Sequence, residues 1–363
     1  MYYGAEHTYG ARASDAWTYR GLRTVIIENE LLRAVVLADK GADIMSLVHK
    51  PTDTELLWRS PWGVRNPATY VPTTGDPTAL WLDFYEGGWQ SVFPGGGFPS
   101  RHANADLGLH AESSLLPWDV HVAEEGPERA CAEFKVRLAR TPFISSRSVS
   151  IEVASPTLVV RETLTNCSEV EFPVSYGQHI AIGPPFLSEA CVIDLPGGTV
   201  HNHPVDWSPS GRLKAAAVSR WPQAVLKDGS TVDLRRVPPR GADIEDQLYV
   251  ADLADGWYAV TNIDLRVGLA VHFPKELYRF LWYWQVFSGG PGYPWWGRNY
   301  NIGLEPFTAA TNRGLEAAVE DASALTLAPR ESLQSEVLVT IYSSQTGVQS
   351  VGSDGTVHTK EDA

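Results

Sequence analysis

The feature that most constrains this chain is a succession of short apolar or alternating runs, separated by Gly, Pro, Asn and Asp and seldom by amphipathic helices. Examples are TVIIEN at 24–29, LRAVVLA at 32–38, CAEFKVRLAR at 131–140, SVSIEV at 148–153 and TLVVRETLTN at 157–166. QLYVADL at 247–253, WYAVTNI at 257–263, RVGLAVHF at 266–273 and SEVLVTIY at 335–342 continue the series. Such runs read as strands. Within 157–166, Arg161, Thr163 and Thr165 alternate with Val160, Glu162 and Leu164, the period of two that a sheet with one buried face requires. Parallel pairing needs long, usually helical crossovers, and helical patterns are scarce here. The expected fold class is therefore all-β, a large antiparallel β-sandwich. A short helix is expected near 244–248.

The 363 residues exceed the usual domain size, but large β-sandwiches reach this length as one unit. No repeat and no Gly/Ser linker divides the chain, so 1–345 is expected to be a single β-sandwich domain. Residues 207–241 are less regular and read as an excursion from the sheet, and 346–363 as a polar, frayed C-terminal tail. The apolar fraction of 44% supplies a sizeable core. A net charge of −14 repels phosphate backbones and anionic lipid, so neither nucleic acid nor membrane is an expected partner. Cys131, Cys167 and Cys191 are scattered, without a CxxC pair, which fits a reducing cytoplasm and offers no cysteine zinc site. The first residues lack a basic stretch followed by an apolar one, so no secretory leader is expected. Exposed edge strands leave a homodimer open.

Four segments could carry chemistry. GGWQSVFPGGGF at 87–98 is dense in glycine, allowing close backbone approach to a ligand, and Gln90 offers an amide to sugar hydroxyls. In LGLHAESSLLPW at 107–118, His110 and Glu112 would share one side of a strand as a polar pair. SYGQHIAIGPP at 175–185 places His179 in a weakly polar strand, either as a satisfied half-buried imidazole or as a general acid. The segment 280–308, FLWYWQVFSGGPGYPWWGRNYNIGLEPFT, sets Glu305 in an apolar strand, where burial would raise its pKa toward that of a useful base. Its tryptophans offer flat faces to sugar C–H groups, although they serve equally as core.

The four segments, in this order, resemble the aldose 1-epimerase (galactose mutarotase-like) superfamily. GGWQSVFPGGG is similar to the loop before its first histidine, LGLHAE to its HG(E) segment with Ala111 for Gly, YGQHIAIG to its second-histidine strand, and IGLEPFT to its EP strand. GADIMSLVHK at 41–50 resembles its early turn into a second strand, and the likeness spans about 25–342. GYPWWGRNYNIGLEPFT at 292–308 is nearest to bacterial members other than the galactose enzymes. The resemblance implies an isomerase that opens a cyclic hemiacetal and recloses it on the other face. Glu305 would be the base and His179 the acid, with His110, Gln90, Glu112, Trp284, Gln285 and Arg298 binding a small-molecule sugar. Neither metal nor organic cofactor is implied, because proton transfer suffices. The family's substrate-binding Asp has no clear counterpart; Asp252, Asp255 and Asp264 are candidates. Nor is there a clear arginine cluster for a sugar phosphate, although Arg298 and Arg101 could contribute to one. A lyase or glycoside-cleaving enzyme, which would need two facing carboxyls, and a non-catalytic sugar binder are the alternatives.

Overall fold

The computed structural model describes residues 9–361. The leader reading of the first residues and the last two residues of the tail lie outside them. Among the described residues, every strand pairing within the two large sheets is antiparallel. One sheet has twelve strands and the other eight. Among the described residues, no helix is long and apolar enough to cross a membrane.

The middle of the twelve-stranded sheet runs Trp89–Val92, Gly177–Ile182, Tyr300–Phe307, Phe280–Phe287 and Ile244–Ala251. The eight-stranded sheet is centred on Ser332–Tyr342, Thr157–Asn166 and Phe143–Glu152. One continuous apolar cluster joins the sheets, with Val25, Ile27 and Ile180 from the first and Val149, Leu158 and Val337 from the second.

A polar knot also lies between them. Arg147 and Glu162, both from the eight-stranded sheet, pair at 3.0 Å with side chains at most 2% exposed. Across the interface Arg147 donates to the Ala42 carbonyl, and Glu162 accepts from Ser91, Tyr176 and Gln178. Two buried charges are tolerable because each has a partner and further hydrogen bonds.

Two local expectations are corrected. The helix expected near 244–248 is the strand Ile244–Ala251, paired residue for residue with Phe280–Phe287. It is buried on both faces from Glu245 onward, and a fully covered strand shows no alternation to mark it. The polar tail forms a hairpin, Val348–Val351 with Val357–Thr359. Val348 and Val351 close over Trp257, Ala259 and Ala270, and Lys360 pairs with Asp194 at 2.7 Å. A few apolar residues at the right turn positions outweigh the polar composition. The irregular region 207–241 holds three short strands, Val218–Arg220, Gln223–Val225 and Thr231–Asp233.

Candidate active site

A cavity of about 210 Å³ opens on the face of the twelve-stranded sheet. Its floor comes from strands. Gly177↔Phe307 and Ala181↔Gly303 are Cα partners, so His179 stands opposite Glu305. The His179 Nε2 to Glu305 Oε1 distance is 3.5 Å, with both side chains buried. Gly303 makes room for this carboxylate. A Cβ there would stand 2.3 Å from Glu305 Oε1, closer than any real contact. Trp282, Trp284 and Gln247 complete the floor.

Loops and one short helix supply the walls. Asp76 caps the helix Pro77–Asp83 by accepting from the Ala79 amide at 2.7 Å. Proline at its first position fits the cap. The helix presents Trp81, anchored by an indole N–H to Ser114 Oγ at 3.0 Å. Trp81, Tyr85 and Trp284 ring the His179 imidazole at centroid distances of 5.8, 5.3 and 6.1 Å. Phe98, Trp207, Trp295 and Asn312 close the rim.

Burial governs the charges. Desolvation, only partly offset by a backbone hydrogen bond, pushes the His179 pKa down to about 3. The same desolvation pushes Glu305 well above the ordinary carboxylate range. Among the described residues no lysine or arginine pairs with Glu305 to reverse this. The pair therefore favours uncharged forms, with one exchangeable proton between them. Tyr85 Oη lies 3.4 Å from His179 Nδ1.

His110 faces His179 with ring centroids 5.1 Å apart. Burial, then the neighbouring imidazole, lowers its pKa well below 6.5, so it is neutral. The Gly97 amide donates to His110 Nδ1 at 3.2 Å, which assigns the proton to Nε2. His110 is thus placed as a hydrogen-bond donor within the cavity.

Of the residues singled out from sequence, His110, His179, Trp284 and Glu305 meet here. Four others do not line the cavity. Gln90 is the cross-strand partner of His179, yet its amide turns back to the Gly87 carbonyl at 2.6 Å. Glu112 was expected beside His110 on a strand. His110 and Ala111 instead take φ of 54° and 56°, and this left-handed turn sends Glu112 away. Its carboxylate accepts from the Ala139, Arg140 and Thr141 amides and from Thr141 Oγ1. Gln285 follows Trp284 on the strand, so it points to the opposite face, where it accepts from Arg212 at 3.0 Å. Arg298 is exposed and lines a different cleft. Asp252, Asp255 and Asp264 are absent from the lining, and Arg101 pairs on the surface with Asp106.

Sequence reading missed Glu245, Gln247, Trp81, Tyr85 and Asn312, all of which line the cavity. Glu245 accepts from the Trp295 indole at 3.0 Å, and burial raises its pKa. The acidic pair Glu245–Asp246 at the start of an apolar run was the available signal. Asp246 is the structural member, bound to Arg212 at 2.7 Å.

The architecture recurs in solved structures of other proteins. A candidate aldose 1-epimerase from Klebsiella pneumoniae superposes with a TM-score of 0.71 at 18% identity, over 92% of this chain and 84% of the other. A galactose mutarotase-like protein from Clostridium acetobutylicum gives 0.62 at 14% identity, over 92% and 99%. The Slr1438 protein from Synechocystis gives 0.64 at 17% identity, over 91% and 99%. At such identities the likeness establishes the fold, a galactose mutarotase-like β-sandwich. Among curated proteins none matches the chain. A family profile described as "Domain of unknown function (DUF4432)" matches residues 19–341, nearly the whole of the sandwich, and the chain belongs to that family.

Proposed function

We propose that the protein is a carbohydrate mutarotase, interconverting the α and β anomers of a free or modified sugar. The observation that carries this reading is the buried His179–Glu305 pair, 3.5 Å apart on the floor of an aromatic cavity. Ring opening needs one group to take the anomeric hydroxyl proton and another to protonate the ring oxygen as its bond to the anomeric carbon breaks. Closure on the other face reverses both transfers. A pair sharing one proton meets this demand. With the proton on His179, Glu305 is the base and His179 the acid. With it on Glu305, which burial favours, the two exchange roles and the same transfers run the other way. His110 would hold a sugar oxygen, and Trp81 and Trp284 would pack against ring C–H faces. The similarly folded Klebsiella and Clostridium proteins, with their epimerase and mutarotase-like names, support the same class.

The test is the rate of anomeric equilibration, by polarimetry or proton NMR, over aldoses, uronates, deoxy- and sulfo-sugars. Wild type should accelerate it for at least one class, and Glu305→Gln should not. An uncatalysed rate with every sugar would sink the reading.

One observation favours a second reading. Glu245 brings a second carboxyl into the same cavity. Glycoside cleavage requires two, one acid and one base or nucleophile. Release of nitrophenol from aryl glycosides by wild type but not by Glu245→Gln would favour cleavage. Full anomerisation by that variant, with no glycoside turnover by wild type, would remove it.

A further inference from the structure

A second cleft lies behind the aromatic wall of the first. It has a volume of about 520 Å³ and draws Arg33, Arg59, Arg240 and Arg298 from four separate segments. Trp58 lines it, and the same indole packs edge-on against Trp284 and Trp295 of the cavity described above. Two carboxylates, Asp53 and Glu55, also lie in the cleft. Glu55 is already engaged, accepting from Arg59 at 2.7 Å, from Ser46 at 2.5 Å and from the Leu47 amide at 2.9 Å. Among the described residues, none of Arg33, Arg240 and Arg298 forms an ion pair. Three unpaired arginines converging in a chain of net charge −14 run against its overall balance.

One of them is held in place. The Arg240 guanidinium carbon sits 4.9 Å from the centroid of the Tyr300 ring. That ring is buried, and its hydroxyl donates to the Pro238 carbonyl at 2.7 Å. This cation–π contact holds the guanidinium over the ring, leaving N–H groups for a ligand.

We infer that this cleft binds a small oxyanion, a phosphate group free or esterified to a sugar, through Arg33, Arg240 and Arg298. Guanidinium groups match phosphate oxygens with paired N–H donors, and such bonds are stronger than neutral ones. The arginines are exposed, so binding weakens as salt rises. The inference does not rest on the mutarotase reading. A protein that leaves every anomeric equilibrium unchanged would still be expected to bind the anion.

Calorimetric titration with inorganic phosphate, glucose 6-phosphate and glucose tests it, using wild type, Arg240→Ala/Arg298→Ala and, separately, Arg33→Ala. Both anions should bind wild type. The double variant should lose about tenfold or more of that affinity, with its melting temperature and its response to glucose unchanged. Arg33→Ala should show a smaller loss of the same kind. Given these losses, equal wild-type affinities would identify the free ion as ligand, and tighter binding of the ester would identify a sugar phosphate. No heat from either anion, or undiminished phosphate affinity in the double variant, would overturn the proposal.

Discussion

The eight-stranded sheet and the centre of the twelve-stranded sheet use the same antiparallel ladders but treat their faces differently. Along Thr157–Asn166, and from residue 132 to 137 of the strand Arg129–Arg137, buried residues alternate with more exposed ones. Along Gly177–Ile182 and Tyr300–Phe307 every residue is buried. At these strands the first sheet turns its outer face to water, whereas the tail hairpin covers its strands Trp257–Asn262 and Val267–His272. The second has the shared core on one face and a layer of loops and a short helix on the other. A face roofed by protein can hold a carboxylate that has no lysine or arginine partner away from water, which a wetted face cannot, and Glu305 is such a group.

The largest effect should follow from breaking the roofed face at the proposed acid–base pair. Glu305→Gln and His179→Ala are each expected to slow anomeric equilibration by roughly 10²–10⁴-fold while far-UV circular dichroism stays unchanged. For wild type, the alkaline limb of the rate profile should lie well above pH 4.5, where Glu305 with its raised pKa gives up the shared proton, and the acid limb near pH 3, where His179 takes up a second one. Ionised Glu305 also costs stability. That cost is absent below the ordinary carboxylate pKa and complete once the pH has risen through the raised one. Glu305→Gln should therefore melt higher than wild type toward alkaline pH, and a variant that melts lower throughout would show a carboxylate held by bonds instead.

A comparable free energy is expected from the knot between the sheets. Glu162→Gln strands the Arg147 charge and should lower unfolding stability by about 3–5 kcal/mol in urea titration. Glu112→Ala comes next, at about 1–3 kcal/mol, because it leaves three loop amides without their acceptor. If it cut turnover and left stability intact, Glu112 would belong to the site after all. Smallest is Arg161→Ala on the wetted face of the eight-stranded sheet. Its partner Glu336 is 43% exposed, and the pair should contribute less than about 1 kcal/mol.

The same contrast explains what could be read from sequence. Alternation marks a wetted sheet, so the eight-stranded half was legible in runs such as 157–166. His179 and Glu305 were legible for the opposite reason, as isolated polar groups in apolar strands. Gln90, Glu112 and Gln285 were not, because their directions depend on local turns and strand parity. The left-handed pair His110–Ala111 is the clearest case, since neither residue type announces a positive φ. Glu245 was hidden in a covered strand that reads as a helix. The arginine cleft was invisible because its members lie in four distant segments.

The division between floor and walls has one more consequence. The proposed reacting groups, His179 and Glu305, are spaced by the distance between neighbouring strands, which nearly all substitutions leave alone. Phe98, Trp207 and Asn312 at the rim belong to connecting segments, which accept insertion and exchange more readily. On the proposed function, chemistry and selectivity are carried by parts of the chain that can vary independently. A lineage built on this plan could move from one ring to another by rewriting its loops, keeping the same proton relay, and a laboratory could begin its own search at those three positions.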